Sequence, residues 1–394
     1  MGHVAASGSI VRRLNILEIV GNAIVGGMET YVAHLISHLP QDGFNVFCVC
    51  PFESRFTARL RSLGCQVFVT PVTDDPSWAS LQSVTSLANS HAIDVIHAHL
   101  PNAHLLGAIV GKFVDTPVLA TVHGRTLSLM DLEVHRSTGT HLSVVCQSAY
   151  LNALMHGIRS DRLHLVANGV DCDTFQPRQG SSFLQRALGL ARQTRLVGFV
   201  GRLSPEKGPE VFLRAAWLVR QSCPDVHFVF VGNGPLLGKL TTTARHMGAG
   251  DWLHFAGELT DMPQVYGSLD VVVSTSHAEG MPLVLMEAMA CGVPVVATHV
   301  GGVAELVVVG ETGFLARAGD YEGIAESTTR LLVEPGLRDA MGAAGRLRAE
   351  EKFSLVKSVA EMAGVLTTLA GAAHGIRMTG LSSVDAQGTV ATRG

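Results

Sequence analysis

Lysine is nearly missing from this chain: five residues among the 29 basic ones. That scarcity reads as genome composition, but it makes a lysine in a ligand-facing loop conspicuous. Charge of either sign is sparse at 16%, and a net charge of −4 with a pI near 6.5 argues against a polyanion-binding surface, hence against nucleic acid as a partner. The seven cysteines are scattered and form no C-x-x-C pair. A disulfide framework or zinc site is therefore not expected, and a reduced, cytoplasmic setting is. No uninterrupted apolar run approaches the length of a membrane span. The opening "MGHVAASGS" has no basic stretch ahead of an apolar core and carries Ala6 where myristoylation wants Ser or Thr, so neither a signal peptide nor that lipid is expected. Repeats of solenoid length are absent. No G-x-G-x-x-G follows the first apolar run, which weakens a dinucleotide-dependent dehydrogenase.

What is present is apolar and periodic. Hydrophobic residues make up 47% and mean hydropathy is +0.30. At 394 residues the chain exceeds one typical core, so two domains are expected. Valine- and isoleucine-rich runs fall at 14–20, 45–50, 66–70, 94–99, 117–123, 142–148 and 163–168, separated by amphipathic stretches such as Met28–Leu39. After "VDCDTFQPRQGSS" the pattern restarts, with runs at 195–200, 226–232, 252–257, 271–276, 294–298 and 313–316. Continuous rather than alternating apolarity marks strands buried on both faces. The fold class is thus α/β, two doubly wound Rossmann-like domains facing one cleft, with ligands beyond the carboxyl ends of the strands.

Two stretches carry most of the chemistry. In "HAEGMPLVLMEAMACG" Pro282 suits the first helical position and Gly292 the residue past the end, so a helix is expected over 282–290. Glu279 precedes it beside the backbone N–H groups of Gly280, Met281 and Leu283, a place that attracts anionic oxygen. Glu287 lies roughly 7.5 Å further along the axis. The pair can address two parts of an extended ligand, a group near a phosphate and a diol such as ribose. The alternative is a dipole-complementing Glu279 and a solvated Glu287. In "VGFVGRLSPEKGPEVFLRAA" a strand ends at Gly201 and the next loop carries Arg202 and Lys207, which together can clamp a diphosphate. Two solvated loop charges are the competing account.

Weaker signals accompany these. Gly26 and Gly27 open the first long helix, and Gly232 and Gly234 follow a strand; either pair can be a plain turn. His97, His99 and His104 cluster in "IHAHLPNAH", with no Cys, Asp or Glu spaced to complete a metal site, so His97 and His99 read as hydrogen-bonded structural residues. His123 ends a strand beside Gly124 and is the better functional candidate. Asp171 and Asp173 form a D-x-D without support nearby, so no metal and no cofactor are expected.

Taken together, "GGME" (26–29), "TVHG" (121–124), "NGVDCDTF" (168–175), "GRLSPEKG" (201–208), "GNGP" (232–235), "EGMPLVLME" (279–287) and "GGVAEL" (301–306) resemble the family-4 glycosyltransferases, retaining enzymes of the GT-B fold, over residues 14 to 370. The most specific part is E-x7-E, Glu279 to Glu287. The apolar pattern puts the domain boundary near 176–192 and, with no apolar period over 371–394, a mobile tail there. With the resemblance the division is a disordered N-terminus (1–12), an acceptor-binding domain (13–180), a nucleotide-sugar-binding domain (190–355), a helix crossing back to the first domain (356–370) and that tail. The resemblance places Arg202 and Lys207 on the diphosphate and Glu287 on the ribose. Glu279, with the backbone of Gly280, Met281, Pro282 and Leu283, would take the donor sugar. Gly27, next to Gly26, would approach the diphosphate from the other domain. His123 would meet the sugar near the reacting carbon, and the base would stack near Gly257, Glu258 and Leu259. Glu279, His123, Arg202 and Lys207 are accordingly the expected catalytic set.

The partners implied are a UDP- or GDP-sugar and a glycan or lipid-linked glycan. The anomeric bond would break through an oxocarbenium-like state, the leaving diphosphate being stabilised by two cations and a helix start in place of a metal. Segments 72–80 and 124–138, on the acceptor side, carry no readable code. Phe47, Phe52 and Phe56 beside Arg55, Arg59 and Arg61 permit peripheral contact with the inner membrane face, with core packing as the alternative. An epimerase of the same architecture or a silent regulatory module are the rival functions. E-x7-E opposes the first, and the intact charged set the second.

Overall fold

The computed structural model describes residues 12–178 and 181–373. The expected disordered N-terminus, apart from residue 12, and the expected mobile tail beyond Ala373 lie outside the described residues.

Seven strands form a parallel sheet: β1 (Leu14–Val20), β2 (Phe44–Cys50), β3 (Gln66–Val69), β4 (Val95–His99), β5 (Val118–Val122), β6 (His141–Val144) and β7 (Leu163–Leu165), in the order β3-β2-β1-β4-β5-β6-β7. Six more, β8 (Leu196–Val200), β9 (His227–Val231), β10 (Leu253–Gly257), β11 (Val271–Ser274), β12 (Val295–Thr298) and β13 (Gly313–Ala316), form a second, in the order β10-β9-β8-β11-β12-β13. Each of the thirteen apolar runs is a strand. The largest difference is in "LSVVCQS", where the strand stops at Val144 and Cys146 begins the helix Gln147–Met155; Val145 and Cys146 beyond it are buried against Gly280 and Gly302 of the second domain.

Helices cover both faces, which explains the continuous apolarity. In the first sheet Leu17, Ile19, Ile96, Ala98 and Val122 point into one core. Ile16, Val20, Val95 and Leu119 point into another, closed by the helix Gly27–His38 and by the last helix, Leu355–Ala373. That last helix follows a crossing where Val170 and Ser354 form a parallel bridge, with Val170 N–H donating to Phe353 C=O at 2.8 Å. Gly169 is required there, since a Cβ would stand 2.6 Å from Leu355 Cα. An 18-residue window of the last helix is apolar enough to span a membrane by composition alone. Its Leu355, Val359, Met362, Leu366, Leu369 and Ala370, however, recur at helical spacing and are buried against the first sheet. The phenylalanine cluster resolves similarly: Phe47 and Phe56 are core residues, leaving Phe52 exposed, and Arg61 is engaged by Glu53 at 2.6 Å.

Each sheet reverses its strand order once, between β1 and β4 and between β8 and β11. Crevices open at such points beyond the carboxyl ends of the strands.

Candidate active site

The crevice between β8 and β11 gathers the residues singled out from sequence. After β8, Gly201 (φ 143°) turns the chain and a single 3₁₀ turn, Pro205–Lys207, leads into the helix Pro209–Ser222. Gly208 at the junction has φ 61° and sits so close to Thr275 that a Cβ would lie 2.3 Å from its carbonyl oxygen. The loop after β8 is thereby packed on the loop after β11. Lys207 Nζ donates to Glu279 Oε1 at 2.7 Å, and Ser276 Oγ–H donates to the same oxygen at 2.6 Å. The pair is half-open, with 32% of the Lys207 side chain exposed and 10% of Glu279.

Arg202 is exposed and makes no side-chain hydrogen bond or ion pair among the described residues. Its field nevertheless reaches Glu29 on the other domain. Glu29 is buried in the first turn of the helix Gly27–His38, where the Gly26 backbone and its own favour the charged form only weakly. Burial pushes its carboxyl up to about 7. Gly26 and Gly27 open that helix at the cleft side of the first domain.

The helix expected from Pro282 runs over Leu283–Ala290, with Pro282 as its N-cap in extended backbone. Gly292 follows its end at φ 71°. Neighbouring loops hold the carbonyls ahead of the helix: Gly302 N–H donates to Gly280 C=O at 2.7 Å, and Asn168 Nδ2 donates to Met281 C=O at 2.7 Å. Among the described residues the N–H groups of Met281, Leu283 and Val284 at the helix start have no hydrogen-bond acceptor. Gly280 is obligatory, because a Cβ would lie 2.0 Å from the His123 carbonyl oxygen of the facing domain.

Glu287 lies one turn along and accepts from the Tyr266 hydroxyl at 2.7 Å. Its carboxyl is pushed up to about 7 by burial, with that hydrogen bond opposing. Gly257 ends β10 at φ 69°, and its carbonyl accepts from Gly232 N–H at 2.8 Å. Glu258 is exposed, and Leu259 is half-buried against the core. Gly232 and Gly234 owe their identity to close packing: a Cβ on either would meet the backbone of Gly201 or Leu203 at 2.0 or 2.4 Å.

His123 closes the cleft from the first domain. Its Nε2 lies 3.0 Å from His99 Nδ1, and His99 Nε2 lies 2.6 Å from Glu18 Oε2. His97 Nδ1 lies 3.1 Å from Glu18 Oε1, and His97 Nε2 lies 2.7 Å from Thr121 Oγ1. The histidines therefore do have an acidic partner, supplied by β1 from 79 residues away. Sequence reasoning missed it, although a carboxylate inside "LNILEIV" was the available signal. His104 is bound separately, between Asp131 and Thr140 at 3.0 and 2.8 Å. In the D-x-D, the Asp171 carboxylate accepts from the Asp173 and Thr174 N–H groups at 3.0 Å, capping the turn that follows. Also unforeseen was Glu305, in "GGVAEL". Its carboxylate accepts from the Gln147 and Ser148 N–H groups at 2.9 and 3.3 Å, capping a helix of the opposite domain.

Comparison with known proteins agrees with this architecture. Residues 25–174 match the model of "Glycosyltransferase Family 4" and residues 181–348 that of "Glycosyl transferases group 1". The D-inositol 3-phosphate glycosyltransferase of Thermomonospora curvata is 37% identical over 380 residues, covering 84% of this chain and 88% of that protein. The UDP-Gal:alpha-D-GlcNAc-diphosphoundecaprenol alpha-1,3-galactosyltransferase of Escherichia coli is 26% identical, covering 85% and 92%. Among solved structures, Anabaena HepE in complex with UDP-glucose superposes with a TM-score of 0.81 at 24% identity, over 90% of this chain and 100% of that one. The chain belongs to glycosyltransferase family 4, has the GT-B fold, and is a glycosyltransferase.

Proposed function

We propose that this chain is a retaining glycosyltransferase that moves a sugar from a UDP- or GDP-sugar to a hydroxyl of a glycan or lipid-linked glycan, without a metal. The observation that carries the reading is the β8–β11 crevice, where exposed Arg202, the Lys207–Glu279 pair and the N-terminus of helix Leu283–Ala290 converge. Arg202 and Lys207 hold the diphosphate, as a fork and a point charge. Glu287 takes the ribose diol, and the loop Gly257–Leu259 takes the base. Glu279 orients Lys207 and, with the Gly280–Leu283 backbone, the sugar. Gly26 and Gly27 meet the diphosphate as the domains close.

The reaction needs little else. The anomeric C–O bond breaks, and its electron pair leaves on the diphosphate, where two cations and a helix start stabilise the developing charge. The acceptor oxygen bonds to the anomeric carbon from the side the diphosphate leaves. Its proton passes to the departing phosphate oxygen, so configuration is retained and no enzymatic nucleophile is required. Closure of the cleft excludes water. The diphosphoundecaprenol-linked sugar named for the Escherichia coli relative supports a lipid-linked acceptor, and the inositol phosphate named for the Thermomonospora curvata relative supports a small soluble one; either would sit on the first domain.

The test is the anomeric configuration of the product from UDP- and GDP-sugars, read by the proton coupling of the transferred sugar. An α-linked donor should give an α-linked product with EDTA present. A β-linked product would end the retaining mechanism, and loss of turnover with EDTA would end the metal-free one.

A further inference from the structure

The polar row in the first sheet lies outside the donor machinery. Register pairs Glu18 with His97 and His99 with Thr121, so these four side chains leave the same face of parallel strands, and His123 continues the row two residues past Thr121. Glu18, His97 and His99 are fully buried. The Tyr31 ring from helix Gly27–His38 packs edge-on against His123 and His99, with centroids 5.0 and 5.9 Å apart.

The order of donors and acceptors along the row follows from one end. Glu18 is ionised, its carboxyl held at about 2 by His97 and His99 against the effect of burial, and an ionised carboxylate only accepts. Both His97 Nδ1 and His99 Nε2 therefore donate to it. Burial keeps His99 neutral, with its pKa near 4, so its single ring proton sits on Nε2 and its Nδ1 must accept. The group facing that Nδ1 at 3.0 Å is His123 Nε2, which must then be the N–H. On the other branch, His97 Nε2 lies 2.7 Å from the Thr121 hydroxyl oxygen.

We propose that Glu18 and His99 are positioning residues that fix His123 as the Nε2–H tautomer, leaving its Nδ1 as a hydrogen-bond acceptor for a sugar hydroxyl. This rests on His123 meeting the sugar, as in the proposed function. It adds a polarity: His123 selects a substrate that donates at that point, and a deoxy sugar there loses its partner.

The experiment is long-range proton–nitrogen correlation on the full chain labelled with ¹⁵N-histidine, with His123 assigned by its absence in His123→Gln. In the wild type, the His123 ring should show a protonated Nε2 and an unprotonated Nδ1. Glu18→Gln keeps the shape but supplies an amide donor, and His99→Leu removes the acceptor. In either folded variant the His123 ring should become a mixture of tautomers, and kcat should fall about 10-fold or more with donor KM little changed. A wild-type His123 protonated at Nδ1 would overturn the proposal. So would variants that scramble the tautomer while keeping wild-type kcat. The spectrum needs no turnover, so a chain inactive with every nucleotide-sugar would sink the proposed function while the tautomer assignment stood or fell separately.

Discussion

The two switch points of this molecule share a topology and differ in what they do with charge. Between β1 and β4, Glu18, His97 and His99 are sealed under helices and bind one another. Between β8 and β11, Arg202 is exposed and Lys207 half-open. The first crevice spends its polar groups on holding one side chain, His123, at the cleft wall. The second leaves its cationic groups open to the cleft. One doubly wound frame thus yields a sealed wall on one side and an open cationic crevice on the other, and the two meet where Gly280 packs on the His123 backbone.

Substitutions should separate the two. The largest effect on activity belongs to the open crevice: Arg202→Ala or Lys207→Ala should lower kcat on the order of 10²–10³-fold, the scale of losing one stabiliser of transition-state charge. The Arg202→Ala melting temperature should barely move, because Arg202 is a surface side chain, whereas Lys207→Ala should lower it modestly by leaving the Glu279 carboxylate, 10% exposed, with Ser276 alone. His97→Ala should behave the other way. It strips one partner from the buried Glu18 carboxylate and should cost roughly 3 kcal/mol of stability by chemical denaturation. If Arg202→Ala unfolds the chain, or His97→Ala leaves it as stable as before, the contrast between the crevices fails.

A smaller effect concerns pH. Burial raises the Glu287 carboxyl to about 7, so between the ordinary carboxylate range and 7 the folded chain holds a proton that the unfolded chain has released. The stability this group contributes is present at low pH and is lost as pH rises toward 7. Glu29 acts in the same direction. Glu287→Gln should therefore flatten the fall in melting temperature between about pH 5 and pH 8. Wild-type donor KM should also improve as pH rises through that window, because the ionised carboxylate is the better acceptor for a diol, and the variant should lose the trend. Smallest is Glu305→Ala, which removes a cross-domain helix cap and should cost about 1 kcal/mol. Scattering should show the apo molecule more open, with unchanged donor affinity.

The strands were legible because a sheet buried on both faces writes itself as unbroken Val and Ile runs, and the β8–β11 crevice because Gly201, Lys207, Glu279 and Pro282 mark turns and a helix start locally. What escaped was pairing at long range. Glu18 meets His97 only through the register of β1 on β4, which no local pattern encodes. A charge inside an apolar run needs a buried partner, and Glu18 within the unbroken run of β1 carries that signal. Glu305 and Asn168 escaped for a related reason, since their partners belong to the opposite domain. Pro282 was placed one residue inside the helix it caps, because N-cap and first-turn prolines share one φ.

The central claim is that the second crevice binds a nucleoside diphosphate with its own cations. The direct measurement is the melting temperature with UDP and with GDP, each with and without EDTA, in wild type and Arg202→Ala. One nucleotide should raise the wild-type melt equally in both conditions, by the equivalent of about 2.7 kcal/mol at 100 times its Kd, and the variant should lose most of that rise. A rise that vanishes with EDTA, or no rise with either nucleotide in a folded sample, would contradict it.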